Sequence, residues 1–323
     1  MNVVFFGSSD YCLPVLRALD KNFDLKAVVA KKSLQSASLS PVIRLAVNNN
    51  IPAYTPSDKN ELESLKDRLN KISPHLFVVS DYGYIIPDSI FTLPKYKTIN
   101  IHFSRLPRFR GPSPVQYSIL SGVKKSFITV ILMTGKVDTG NIIFQKQYPV
   151  NPSTETTGTL YAKLFLLLSK DLPAIINGYI RGKLTPIPQL GRQSSETRLL
   201  IREDGLLPFR LFIAACRGTT KKGFNSPDFP PESLFLKTLN KTGNLIITIE
   251  RAVRAFDPWP GVWTVIPQTL EILKNKRLKI LKVSIEKNKI IPRIVQLEGK
   301  KPVNWKQFIE GYPHFLKVIS NSG

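Results

Sequence analysis

The sequence predicts an α/β fold, a doubly wound N-terminal domain followed by a smaller C-terminal β-barrel domain. Three observations carry this. Over residues 1–150, short apolar runs alternate with stretches of helical periodicity, the pattern of strands feeding crossover helices. A turn- and proline-rich stretch follows at 182–189, with Ser194-Ser195-Glu196-Thr197 after it. Beyond that, short β-like runs separated by turns suit a small barrel.

The elements follow in order. Residues 2–6 form an apolar run that stops at Gly7-Ser8-Ser9-Asp10. Leu13, Leu16 and Leu19 then recur at helical spacing, with Ser9 or Asp10 as the N-cap. Residues 25–30 read as the second strand, 52–54 as a short third, 61–69 as a helix, 76–80 as a buried strand and 98–102 as another. Residues 128–133 and 142–148 read as strands, and 159–178 as a helix. The linker is expected at 182–203. In the C-terminal part, 245–249, 263–266, 278–283 and 290–296 are β-like.

Composition bounds the function. Lys and Arg number 46 against 23 Asp and Glu, a formal charge of +23, which points to a polyanionic partner with nucleic acid as first candidate. A lysine-rich genome or a generally basic cytosol is the alternative. A hydrophobic fraction of 42% with 21% charged residues describes a globular chain. Cys12 and Cys216 stand far apart with no C-x-x-C pair, so neither a zinc site nor a disulfide is expected, and both thiols are read as reduced. The N-terminus reads as a core strand and not as a signal peptide. No apolar run approaches the ~20 residues of a membrane span, so no membrane partner is expected.

The chemistry concentrates in 100–114 and 135–140. Asn100 and His102 lie two apart at the end of a predicted strand, so both side chains face one side. Ligands bind at that edge of open α/β sheets. An amide and an imidazole together suit a tetrahedral intermediate, the amide donating to an oxyanion and the ring handling a proton. A lone histidine is more often structural, and His75 and His314 have no such companion. Asp138, ahead of Thr139-Gly140, suits a tight turn in its own right or could orient His102.

Asn100-x-His102, the loop Ser104-Arg105-Leu106-Pro107-Arg108-Phe109-Arg110-Gly111 and Asp138-Thr139-Gly140 together resemble the 10-formyltetrahydrofolate-dependent formyltransferases. Phe6-Gly7-Ser8-Ser9-Asp10-Tyr11 is similar to the family's opening, and Tyr82-Gly83-Tyr84-Ile85-Ile86-Pro87 to its pterin-pocket segment. The resemblance implies catalytic roles for Asn100, His102 and Asp138. It implies folate contacts from Ser104, Arg105, Leu106, Pro107, Tyr82, Gly83 and Ile85, with 10-formyltetrahydrofolate as co-substrate and no metal. Arg251-Ala252-Val253-Arg254-Ala255-Phe256-Asp257-Pro258-Trp259-Pro260-Gly261-Val262-Trp263 and the segment 297–308 resemble the branch acting on methionyl-tRNA.

The implied organisation is a Rossmann-like formyltransferase domain over 1–181, a linker over 182–203 and an OB-like, tRNA-binding domain over 204–323. The partner is then initiator methionyl-tRNA, met by a monomer in the cytoplasm or an equivalent organellar matrix. A sugar-nucleotide N-formyltransferase or a 10-formyltetrahydrofolate hydrolase would use the same three residues. The first turn lacks G-x-G-x-x-G, so no NAD site is expected.

Further expectations remain to be placed. Phe256, Trp259 and Trp263 read as core. Lys274, Lys276, Arg277, Lys279, Lys282, Lys287 and Lys289 read as a phosphate-contacting basic surface. Phe103 and Arg105 replace the family's usual Gly and Leu; Phe103 could narrow the cleft beside His102, and Arg105 could meet the folate's glutamate tail or simply face solvent. The loop 30–39 is shorter than in relatives, and 211–231 reads as an insertion.

Overall fold

The structure, a computed structural model, describes residues 1–32, 39–219, 229–230, 232–267, 273, 275–313 and 315. Lys274, His314, residues 33–38 of the loop 30–39, and residues 220–228 and 231 of the stretch 211–231 lie outside the described residues. The chain divides into two compact units. The first comprises 1–114, 125–151 and 160–198, and the second 115–124, 152–159 and 199–323.

The first unit is built on a seven-stranded sheet. Its strands are β1 (Asn2–Phe6), β2 (Asp24–Val29), β3 (Ala53–Tyr54), β4 (Leu76–Val79), β5 (Thr98–His102), β6 (Ser126–Leu132) and β7 (Ile142–Tyr148). The spatial order is β3-β2-β1-β4-β5-β6-β7. Strands β3 to β5 run parallel, and β6 and β7 add to the β5 edge antiparallel. The order reverses direction about β1, the doubly wound arrangement that opens a crevice at the C-terminal ends of the central strands.

Burial explains why the central strands read as continuous apolar runs. Val3, Val4, Phe5 and Phe6 of β1 and Leu76, Phe77 and Val78 of β4 have no solvent exposure. A strand covered on both faces needs no alternation. Phe6 packs against Phe77 at 5.2 Å between ring centroids and edge-on to Tyr82 at 5.5 Å. Truncating a buried Phe of this kind typically costs about 3–5 kcal/mol, so these rings anchor the sheet.

The helices depart from expectation in detail. Helix Leu13–Asn22 is preceded by a 3₁₀ turn, Asp10–Cys12, and neither Ser9 nor Asp10 caps the helix through its side chain. The expected helix at 61–69 is two short ones, Lys59–Ser64 and Lys66–Lys71; Asp58 caps the first by accepting from the N–H groups of Asn60 and Glu61. The long helix spans Thr157–Ile180 with Pro173 inside it. Pro41–Asn48, Asp88–Phe91 and Pro114–Ser121 are further helices.

In the second unit the expected β domain is a four-stranded antiparallel sheet, order β11-β10-β9-β8, from β8 (Val262–Val265), β9 (Arg277–Glu286), β10 (Lys289–Leu297) and β11 (Val303–Asn304). Residues 245–249, expected as a strand, begin the helix Leu245–Ala255. Asn244 caps it by accepting from Ile247 N at 3.1 Å. The run Leu-Ile-Ile-Thr-Ile is β-prone, but Leu245, Ile249 and Ala252 sit at helical spacing and are fully buried, so packing overrides propensity. Helices Phe209–Arg217, Leu234–Thr242 and Trp305–Gly311 also belong to the unit. Phe256 is core as expected, whereas Trp259 is not: it is 55% exposed.

The two thiols are buried one in each unit, Cys12 fully and Cys216 at 7% exposure. Burial pushes the Cys216 thiol up to about 12. Burial, aided by the charge of Asp81, raises Cys12 further. Thiolate is the reactive species, so both sulfurs should be inert at neutral pH. A disulfide reagent should titrate neither thiol in the native protein and both in denaturant; fast native reaction would contradict this burial.

Candidate active site

The site is built at the C-terminal end of β5, in the first unit. Asn100 and His102 project to one side of the strand, and antiparallel pairing fixes their height, with Asn100 opposite Ile131 and His102 opposite Thr129. Asp138 reaches them from the turn between β6 and β7, where it holds a left-handed backbone, φ +50°. An aspartate tolerates that conformation better than most residues, and a turn imposes it here.

The carboxylate of Asp138 gathers the site. Its Oδ1 accepts from Asn100 Nδ2 at 3.0 Å. Its Oδ2 lies 3.3 Å from His102 Nδ1 and accepts the backbone N–H of Gly111 at 2.8 Å. The side chains of His102 and Asp138 are 5% and 7% exposed, so water competes little for these bonds. Across the ring, His102 Nε2 lies 2.8 Å from the carbonyl oxygen of Phe109.

That pair of neighbours constrains the imidazole. A backbone carbonyl only accepts, so Nε2 carries hydrogen. The ring is thus held between the Phe109 carbonyl on one nitrogen and the Asp138 carboxylate on the other, beside the amide of Asn100.

The loop after β5 is pinned from below. Thr129 Oγ1 donates to Ser104 O at 2.6 Å, and Gln145 Nε2 donates to Leu106 O and to Thr129 Oγ1, both at 3.1 Å. Ser104 Oγ donates to Arg108 O at 2.6 Å, closing the loop on itself, and Leu106-Pro107 is cis. Ser104 and Leu106 are buried, while Arg105 is exposed with its guanidinium over the Phe127 ring at 5.4 Å. Phe103 does not narrow the cleft at His102. Its ring packs against Phe165 at 4.6 Å and Tyr161 at 5.8 Å, because the next residue along an extended chain points to the other side.

The segment expected only as a linker holds the site from the other flank. Its residues up to Arg198 belong to the first unit. Gln189 Nε2 donates to the carbonyls of Asp138 and Gly140, each at 2.8 Å, and its Oε1 accepts from Arg110 Nε and a terminal guanidinium nitrogen at 3.1 and 2.7 Å. Ser195 Oγ accepts from Phe109 N at 2.9 Å, and Thr197 Oγ1 accepts from Ser113 N at 3.1 Å. Gln189, Ser195 and Thr197 were missed by sequence reasoning, although Ser194-Ser195-Glu196-Thr197 stood out as a polar cluster. His75, by contrast, is structural, its Nδ1 accepting from Asn2 N at 3.1 Å.

The second group of expected binding residues lies at the C-terminal end of β4, the strand beside β5. Tyr82 is buried, and its hydroxyl has no hydrogen-bond partner. Burial raises the phenol well above its ordinary range, so it stays an O–H donor. Gly83 has φ +84°, with only the far end of Lys31 near where a Cβ would stand. Ile85 is 77% exposed, an apolar side chain left uncovered. An orphaned donor, an open glycine and a bare Ile fit a flat, partly apolar ligand with acceptor atoms. Among the described residues no group of three His, Cys, Asp or Glu side chains could hold a metal ion.

Comparison with known proteins gives the family. The family described as formyl transferase matches residues 1–176, and its C-terminal domain matches 245–292. The methionyl-tRNA formyltransferase of Clostridium novyi (strain NT) is 26% identical, over 96% of this chain and 97% of that protein. The enzyme of the same name from Caldanaerobacter subterraneus subsp. tengcongensis is 29% identical, over 88% of this chain and 81% of its own. Among solved structures, methionyl-tRNA formyltransferase from Clostridium thermocellum shares the fold with a TM-score of 0.57 and 18% identity, covering 92% of this chain and 98% of its own. The sugar 3N-formyl transferase WlaRD gives a TM-score of 0.56 and 20% identity, covering 94% and 97%.

The turn carrying Asp138 leaves no room at Gly140, where a Cβ would stand 1.7 Å from Leu132 O. Gly140→Ala should therefore displace the turn and cost roughly 2–4 kcal/mol, within the range for strained backbone substitutions. Urea unfolding checks this; an unchanged midpoint would contradict the close approach.

Proposed function

The chain belongs to the formyl transferase family, and from that premise we propose that it transfers the formyl group of 10-formyltetrahydrofolate to the α-amine of methionyl-tRNA. The observation that carries the reading is the gathering of Asn100, His102 and Asp138 into one hydrogen-bonded cluster at the edge of β5. The curated relatives of that name span nearly the whole chain, which supports the transfer-RNA branch.

The co-substrate supplies an activated formyl carbon. The chain's own residues then act on the reaction's charges. Attack by the amine converts the formyl carbonyl into an oxyanion while the nitrogen becomes cationic. Asn100 donates one amide hydrogen to Asp138 and keeps a second for the oxyanion. His102, held between Asp138 and the Phe109 carbonyl, stands beside it. Asp138 fixes both donors, and its carboxylate is the group able to take the amine's proton, directly or through water. Collapse expels the folate nitrogen, which takes up a proton. In this reading Tyr82, Gly83 and Ile85 on one flank and the loop 104–107 on the other would hold the folate.

Gln189 is a positioning residue. It spans the Asp138 and Gly140 carbonyls and ties them to Arg110, so the turn cannot drift. Misplacing a reacting group by an ångström can cost about a hundredfold.

The decisive measurement is formyl transfer to methionyl-tRNA, wild type beside variants. Asn100→Ala, His102→Ala and Asp138→Ala should each lower kcat by about 10²–10⁴-fold. Gln189→Ala should lower kcat by roughly tenfold with little change in KM for tRNA, since the turn shifts but every reacting group remains. Release of tetrahydrofolate without tRNA would make the chain a hydrolase. Transfer to a nucleotide-linked amino sugar in its place would make it a sugar enzyme.

A further inference from the structure

The second unit carries a depression that the transfer chemistry does not use. It is an open depression of about 380 Å³ on the outward face of the sheet β8–β9–β10. The inward face of that sheet is core, with Val262, Thr264, Leu278, Ile280, Val295 and Leu297 all buried. The outward face alternates with it. Trp263 stands opposite Lys279, and Lys279 opposite Gln296, so the three form one row across three strands.

Two indoles line the depression. Trp263 is fixed, its Nε1 donating to Arg202 O at 3.1 Å and its ring lying under the Arg202 guanidinium at 5.9 Å. Trp259, between Pro258 and Pro260, lines the same depression and is 55% exposed. A Trp normally buries most of its area, and Trp305 does so conventionally within a cluster of Phe212, Phe308 and Phe315 rings. The exposed Trp259 ring is therefore a platform without a cover.

The charges at the rim select the cover. Glu298 is the one carboxylate among the lining residues, and Arg277 pairs with it through Nε at 3.0 Å. That leaves the exposed Arg202 and Lys279 as net positive charge, in a chain of +23. An indole face flanked by two cations suits a planar ring joined to phosphates. It does not suit a duplex, whose bases are stacked on one another.

We propose that an unpaired nucleobase of the RNA substrate stacks on Trp259, with Arg202 and Lys279 meeting the flanking phosphates. The identity of the RNA rests on the tRNA reading above; the stacking site rests on the depression itself. It adds to ionic attraction a contact that salt does not screen.

The test is fluorescence anisotropy of a labelled short single-stranded RNA and of deacylated initiator tRNA, over a salt series. Trp259→Ala should weaken both by about tenfold or more at every salt concentration, while Trp259→Phe should keep most of the affinity. Arg202→Gln with Lys279→Gln should flatten the plot of log affinity against log salt by about 1.4, for two phosphates on a single strand. In formyl transfer, Trp259→Ala should raise KM for tRNA and leave kcat unchanged. Wild-type RNA affinity in a folded Trp259→Ala variant, or no RNA binding by the wild type, overturns the site. If the wild type binds RNA through Trp259 yet transfers no formyl group, the site stands and the tRNA enzyme reading fails. If it transfers formyl groups while Trp259→Ala keeps wild-type affinity and KM, the site alone fails.

Discussion

The carboxylate of Asp138 must accept from Asn100, His102 and Gly111 at once, with its own backbone at φ +50°. Each partner comes from β5 or the loop after it, and Asp138 comes from the far side of β6. The rest of the first unit can be understood as what makes this meeting possible. Antiparallel pairing sets Leu132, the last residue of β6, opposite Ile99, so the β6–β7 turn starts level with the first half of β5. From there Asp138 reaches Asn100 and His102, further along the same strand.

Rigidity has to come from outside the three residues, because a carboxylate with three donors can still move as a body. Two layers supply it. Thr129 and Gln145, on β6 and β7, fasten the carbonyls of the loop after β5. Gln189, Ser195 and Thr197 fasten the turn and the far part of the loop. These are neutral amides and hydroxyls bonded to backbone, so they add no charge that would compete with Asp138 for His102. The His102 ring is left with two neighbours, the Asp138 carboxylate and the Phe109 carbonyl.

Much of this was legible in the sequence, for identifiable reasons. The i, i+2 spacing of Asn100 and His102 on a strand fixes their common side without any tertiary information. The apolar runs of β1 and β4 announced a sheet covered on both faces. Asp138 alone was ambiguous, since a turn aspartate and a catalytic one share the same local signature; only the fold brings it within 3.0 Å of Asn100. Gln189 was illegible because its role depends on contacts with carbonyls 51 and 49 positions away, and no local pattern encodes them. The helix at Leu245–Ala255 was misread because its β-branched run has strand propensity and a buried helical face at once. Trp259 was misread as core because an aromatic between prolines gives no sign of which way it faces.

The two units answer different demands, and their side-chain chemistry differs accordingly. The first concentrates few charges in a nearly dry cluster, where each hydrogen bond is strong and misplacement is costly. The second spreads charge over solvent. Lys276, Lys279, Lys282, Lys287 and Lys289 are all exposed along β9, β10 and the turns beside them, and the carboxylates nearby are paired with Arg277 and Arg293. Such a surface holds a polyanion loosely and in many registers, since exposed ion pairs are individually weak. Delivering one amine to one dry cluster requires a single register. Diffuse charge cannot choose it, because every phosphate looks alike. A contact to something other than phosphate is needed, and on the described surface of the second unit an uncovered indole beside two unpaired cations is the feature able to supply it.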